Sequence, residues 1–309
     1  MSSSATSGSL PCECFRWAFS LQKAFENDHL EYHYRRALQC VNEEEQAKIA
    51  AYRHKDDALA CLAGRLFLRQ AVRRLAAPVD GSAPIDWAQI EIQRTERGKP
   101  FIVQPEGFHN GINVSHQGDY TVFASSCGDK VGVDVMRLDM ARGNKTADEY
   151  ITSMAKSASA EELRNMRGQA TEQMKMTVFY RYWCLKEAVL KATGQGIVND
   201  LSRYDFRIDL DERYRPGCFL TSTTVLEDGK LQSQWIFEES FVDNTHAIAV
   251  CRQKKLPPTC QFYKDQEARK FFTEVDLDFL LEGASVLSPL PDDAAREYTD
   301  FMEKPRKKF

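Results

Sequence analysis

The order long helix, strand, strand, strand occurs twice in this chain, and that repetition limits the folds open to it. The first copy begins with a helical pattern over residues 42–76, where Leu59, Leu62, Ala63 and Leu66 recur at i, i+3, i+4 and i+7. Asn42 followed by Glu45 supplies a capping box at its start. Pro78, Gly81 and Pro84 interrupt the chain beyond it. Runs at residues 90–93, 101–103 and 120–124 predict three strands, with Gly98-Lys99-Pro100 as a loop after the first. The second copy opens on the apolar strand Val131-Gly132-Val133-Asp134-Val135. A helix over residues 174–193 follows, stopped by Gly194 and Gly196, and then strands at 204–208, 235–237 and 246–250. The period, above about one hundred residues, is too long for a solenoid. The predicted fold is therefore α+β, a pseudo-twofold duplication of a helix plus a three-stranded antiparallel sheet.

This organisation divides the chain into an N-terminal half at 15–129 and a C-terminal half at 130–262, with the seam near Gly128-Asp129. Residues 1–14 are Ser-rich, without the apolar stretch of a secretory leader, and are expected to be disordered. Residues 263–309 are charged and irregular and are expected to form a peripheral extension, with a helix around 266–281. The basic run Lys304-Pro305-Arg306-Lys307-Lys308 is expected to be a solvated end.

A formal net charge of only -4 gives no global field that would draw the chain to nucleic acid or membrane, so any anion binding must come from local clusters. No apolar window is long enough to span a bilayer. The nine cysteines are odd in number and scattered, which fits reduced thiols in a cytosolic protein rather than a disulfide framework. The phosphate-binding GxGxxG and P-loop patterns and the GxSxG nucleophile pattern are all missing, which removes support for Rossmann, NTPase and α/β-hydrolase chemistry.

Four groups of residues could carry chemistry. Asp134 interrupts an apolar strand and needs a cation, either a metal or a basic side chain. Trp183, Glu187 and Lys191 are spaced i, i+4, i+8 and share one helix face, on which Trp183 is unusual for a solvated ion pair. Asn113-Val114-Ser115-His116-Gln117 could hold a phosphate; taken alone it reads as a turn before a strand. Arg94, Arg97 and Lys99 surround a Gly-Pro turn and could grip phosphate groups.

In order along the chain, Gly98-Lys99-Pro100, Asn113-Val114-Ser115-His116, Gly132-Val133-Asp134 and Trp183-Cys184-Leu185-Lys186-Glu187 with Lys191 resemble the signatures of the Sfp-type 4'-phosphopantetheinyl transferases. The resemblance covers about residues 15–255. Arg16-Trp17-Ala18-Phe19 and Ser115-His116-Gln117-Gly118-Asp119-Tyr120 look like the animal branch of that family.

The resemblance implies a pseudo-dimer with its site between the halves. It also implies transfer of 4'-phosphopantetheine from coenzyme A to a serine of an apo-acyl carrier protein, the holo-[acyl-carrier-protein] synthase reaction, with release of 3',5'-ADP and dependence on Mg2+. Carrier domains of fatty acid synthase and of aminoadipate-semialdehyde dehydrogenase-like enzymes are the implied partners, for a monomer in the cytosol. On matching residues, Asp134 and Glu187 would ligate magnesium, and Glu187 would also act as base. Lys191 would neutralise the pyrophosphate, His116 would contact the phosphates with Asn113 and Ser115 beside it, and Lys48, Arg94, Arg97, Gly98 and Lys99 would hold the 3'-phosphate end. Where bacterial relatives often carry a second acid, this chain has Met136, which is no ordinary magnesium ligand. Gln117 is the oxygen donor expected instead. The alternatives are another coenzyme A enzyme such as an acyltransferase, or a non-catalytic protein that binds carriers or coenzyme A.

Overall fold

The computed structural model describes residues 14–77, 83–139, 143–196, 200–254, 271–291 and 295–308. The segment expected to be disordered thus falls outside the described residues, apart from Cys14. The first half contains β1 (Arg16–Ser20), α1 (Leu21–Phe25), α2 (Leu30–Gln39), α3 (Glu43–Ala50), α4 (Lys55–Leu75), β2 (Glu91–Arg94), β3 (Pro100–Gln104), β4 (Gly111–Gln117) and β5 (Tyr120–Ser126). The second contains β6 (Val131–Arg137), α5 (Ala147–Ser153), α6 (Ala160–Arg167), α7 (Glu172–Thr193), β7 (Tyr204–Arg207), β8 (Thr224–Glu227), β9 (Lys230–Leu231), β10 (Trp235–Phe241) and β11 (His246–Gln253). β12 (Thr273–Val275), α8 (Leu277–Leu280) and α9 (Ala295–Glu303) close the chain.

The duplication is visible in the sheets. β1, β5 and β4 pair antiparallel in that spatial order, and β6, β11 and β10 repeat it. Each half therefore places its first, third and second principal strands side by side, with a long helix, α4 or α7, against them. Each also inserts a small antiparallel sheet after that helix, β2–β3 in one and β7–β8–β9 in the other. The two main sheets meet in a core of their own. Ala18, Val122 and Ala124 face Val131, Val133, Val135, Ile248 and Val250, and fully burying a Val or Ile side chain contributes ~1.5–3 kcal/mol.

Polar side chains complete the seam. Asn113 and Gln117 of β4 accept from the backbone N–H groups of Val133 (2.9 Å) and Arg137 (2.6 Å) on β6. Between them Ser115 Oγ donates to Asp134 Oδ1 at 3.0 Å. The fully buried Glu238 of β10 pairs with both Arg16 of β1 and Arg252 of β11.

Three expectations need correction. The helix read over 42–76 is two helices, α3 and α4, because Asp56 and Asp57 provide a fresh first turn that the helix dipole favours. Asn113–Gln117 is not a turn but most of strand β4; its alternation is hidden because polar Asn113 and Ser115 point into the protein. Of the helix expected around 266–281, residues before 271 lie outside the described part, and the remainder forms β12, parallel to β1, and the short α8. The basic end is exposed at residues 305–308, as expected, and is also tied to the fold: Arg306 pairs with Asp56, which is 2% exposed, and Lys307 with Asp57.

Candidate active site

Helix α7 approaches strand β6 closely at Gly132. A Cβ added there would lie 2.0 Å from Ala188 O and 2.4 Å from Ala192 N, so only glycine allows the contact. Two residues further along, Asp134 meets the helix. Its Oδ1 accepts from Lys191 Nζ at 2.6 Å and from Ser115 Oγ at 3.0 Å, and Lys191 Nζ also donates to Ser115 Oγ at 2.7 Å. Three elements from both halves therefore converge on one carboxylate. Its other oxygen, Oδ2, is buried and accepts no hydrogen bond, a costly state for a carboxylate unless a cation meets it.

Trp183, Glu187 and Lys191 share one face of α7, as their spacing predicts, and line a cleft of about 990 Å³ at the seam. That is at the upper end of the ~300–1,000 Å³ usual for small-molecule sites. Burial, and then the Asp134 charge, raise the Glu187 pKa, with Lys191 working against them. Lys186, in the same sequence motif, is turned away and buried. Its Nζ pairs with Glu162 (2.9 Å) and donates to Leu201 O and Tyr204 O.

From the first half, Lys48, Arg94, Arg97, Gly98, Lys99, Asn113 and His116 line the same cleft. Lys99 Nζ donates to Ala192 O (2.9 Å) and Arg97 Nη1 to Gln195 O (2.5 Å), so both cations sit at the C-terminal, negative end of α7. Arg94 Nη1 donates to Gly98 O, and Lys48 forms an exposed pair with Glu44. Although the His116 ring is open to the cleft, enclosure by its walls and then the Lys191 ammonium lower its pKa.

Gln117 is engaged at the seam by Arg137 N–H and is not among the cleft-lining residues. Met136 packs against the second-half core. Sequence reasoning missed Arg65, whose guanidinium donates to Cys61 Sγ at 2.6 Å while both line the cleft. The available signal was a charge inside the apolar run Leu62, Ala63, Leu66, Phe67.

Among the described residues no three His, Cys, Asp or Glu side chains group as metal ligands. Two carboxylates nevertheless suit magnesium, which keeps several waters and takes phosphate oxygens alongside one or two carboxylates. The unpartnered Oδ2 of Asp134, with Glu187 close enough to feel its charge, fits such an ion.

Comparison with known proteins decides the family. Residues 28–128 match the family described as 4'-phosphopantetheinyl transferase, N-terminal, and residues 130–251 match the 4'-phosphopantetheinyl transferase superfamily. The chain is 30% identical over 289 residues to the L-aminoadipate-semialdehyde dehydrogenase-phosphopantetheinyl transferase of Rattus norvegicus, covering 90% of this chain and 88% of the relative. The Homo sapiens protein of that name is 29% identical over the same shares. A phosphopantetheinyl transferase of Thraustochytrium sp. is 32% identical over 215 residues, 68% of this chain and 69% of the relative. The chain belongs to the 4'-phosphopantetheinyl transferase superfamily. Members of this superfamily transfer phosphopantetheine to carrier proteins, and the chain is a transferase of that type. The α+β expectation agrees with this assignment.

Proposed function

We infer that this enzyme uses Mg2+ to transfer the 4'-phosphopantetheine of coenzyme A to a serine of apo-acyl carrier protein domains. The observation that carries this reading is the unpartnered oxygen of Asp134, buried behind Lys191, which with Glu187 lines a cleft that also carries Lys48, Arg94, Arg97 and Lys99. Asp134 and Glu187 would hold the ion, with Gln117 reaching it at most through water. When bound, Mg2+ would neutralise and orient the pyrophosphate oxygens.

Lys191 adds a positive charge beside the same phosphates. Arg94, Arg97, Gly98 and Lys99, with Lys48, hold the 3'-phosphate end, and His116, Asn113 and Ser115 define the wall next to the reacting phosphorus. Glu187 accepts the proton of the carrier serine hydroxyl, and its raised pKa makes it a better acceptor than an ordinary glutamate. The serine Oγ–P bond forms, the P–O bond to 3',5'-ADP breaks, and the nucleotide leaves with the electron pair. Positioning and charge stabilisation supply most of the acceleration.

Carrier domains of fatty acid synthase or of aminoadipate-semialdehyde dehydrogenase-like enzymes are the proposed acceptors, and the names of the relatives support the second. The internal duplication supports action as a monomer. Free thiols throughout the described residues support the cytosol. No helix among those residues is long and apolar enough to cross a membrane. Mass spectrometry of an apo-carrier domain incubated with coenzyme A, with and without Mg2+, tests the reaction. The carrier should gain the phosphopantetheine mass, and 3',5'-ADP should be released, only with the metal. Transfer of an acyl group insensitive to EDTA, or carrier binding without release of 3',5'-ADP, would overturn it.

A further inference from the structure

The basic segment 304–308 makes a set of contacts that the transfer reaction does not by itself require. Lys304 Nζ donates to Ala50 O (2.9 Å) and Tyr52 O (2.7 Å), capping the C-terminal end of α3 with a cation. Pro305 O accepts from Lys55 N–H at 3.2 Å, the first residue of α4. Arg306 Nε donates to Asp56 Oδ1 and Lys307 N–H to Asp56 Oδ2, both at 2.8 Å, and Asp56 is 2% exposed. The Arg306 guanidinium also lies 4.1 Å from the centre of the Phe25 ring. Lys307 Nζ pairs with Asp57 at 2.9 Å.

Apart from that with Phe25, at the end of α1, these contacts converge on the corner between α3 and α4. That corner is cleft wall: Lys48, Ala51 and Tyr52 on one side of it, and Ala60, Cys61 and Arg65 beyond it, line the cofactor cleft. The segment carries four cations, Lys304, Arg306, Lys307 and Lys308, against the two carboxylates Asp56 and Asp57. By count the segment's cations outnumber those two carboxylates, beside a wall of the cleft though not among its lining residues.

We propose that residues 304–308 are a positioning clamp for coenzyme A, fixing the α3–α4 wall of the cleft. This rests on the coenzyme A reading of the site. Lys304, Arg306 and Lys307 are positioning residues: Lys304 and Arg306 hold the wall that carries Lys48 and Tyr52, and Lys307 ties down Asp57 at the start of α4. The clamp acts on the cofactor and not on the carrier or the chemical step.

The test measures coenzyme A binding by calorimetry, with Mg2+, for the full chain and for Lys307→Gln and Lys304→Met/Lys307→Gln, together with KM for each substrate and kcat. The double variant should lose roughly three- to tenfold in coenzyme A affinity and raise KM for coenzyme A to match. Its kcat and carrier KM should stay at wild-type values. Arg306→Lys should restore most of the affinity lost in Arg306→Met. Lys307→Gln replaces an exposed side chain and keeps the test valid if the double variant unfolds. Coenzyme A affinity within about twofold of wild type in both variants, or a rise in carrier KM instead, overturns the clamp while leaving the transferase reading intact. A wild-type protein that does not bind coenzyme A overturns both.

Discussion

Lys191 Nζ lies 2.6 Å from Asp134 Oδ1, so an ammonium that lines the cleft from α7 is tied to a buried carboxylate on β6. That pair leaves Asp134 Oδ2 without a partner, and Glu187, one helical turn before Lys191, carries a raised pKa. Both carboxylates are thus set up for a cation.

Glu187→Gln should remove the proposed base and one metal ligand together. Transfer to an apo-carrier should fall by at least the ~10²–10⁴-fold attributed to general base catalysis. The circular dichroism spectrum should stay unchanged, because the side chain faces the cleft. Near-normal labelling by this variant would reject the role.

Asp134→Asn keeps the side-chain volume and an acceptor for Lys191 and Ser115 but removes the charge. In the wild type, Mg2+ at a hundred times its Kd should stabilise the fold by about 2.7 kcal/mol, read as a higher melting temperature. The variant should show little of that shift and need far more Mg2+ for transfer. Equal shifts in the two proteins would place the ion elsewhere.

The raised Glu187 pKa has a consequence for stability without metal. A carboxyl whose folded pKa exceeds its unfolded value, about 4.3, binds its proton more tightly in the folded state. Its favourable contribution is full below the unfolded pKa and is lost as pH rises through the folded one. In EDTA, Glu187→Gln should therefore be more stable than wild type at neutral pH, and the gap should close on acidification toward pH ~4. Thermal melts of both proteins across that range check the sign.

Lys186 and Lys191 lie in one motif yet differ in kind. Lys186 is 2% exposed and pairs with the fully buried Glu162. Lys186→Met strands that carboxylate and should cost about 3–5 kcal/mol in urea unfolding. Lys191→Met should instead cost activity while the protein still folds. Loss of transfer by folded Lys186→Met at unchanged stability would contradict this division.

Gly132→Ala should be more damaging than its size suggests. The added methyl meets backbone atoms of α7, which cannot rotate aside. A loss of ~1–3 kcal/mol or more, together with a loss of transfer as the helix backs away from Asp134, is the expected result. Wild-type denaturation and activity would show that the close approach is dispensable.

Much of the site was legible because its spacing is local. Trp183, Glu187 and Lys191 fall on one face by helical geometry alone, and Asp134 stood out as a charge in an apolar strand. Residues that act across long separations were harder to read. Asn113 and Ser115 are polar side chains pointing inward, the reverse of the usual strand pattern, so β4 looked like a turn. Arg65 is hidden in an apolar helix, and its cleft exposure depends on where α4 lies against the sheet. The role of the basic segment depends on Asp56 and Asp57, about 250 residues away, a pairing that no local pattern encodes. β1, the counterpart of β6, was not singled out as a strand because its five residues are all buried and show no alternation.

The bonds from Asn113, Ser115 and Gln117 to β6 put the proposed centre at the joint between the halves. An enzyme assembled from two identical copies would have to place cations and carboxylates on the same surface and repeat every substitution in both. Fusion of the copies lifts that constraint: one repeat can specialise in gripping a nucleotide and the other in handling charge at phosphorus. Separately expressed halves should each lack a working centre, and activity should return only to the extent that they reassociate along this boundary.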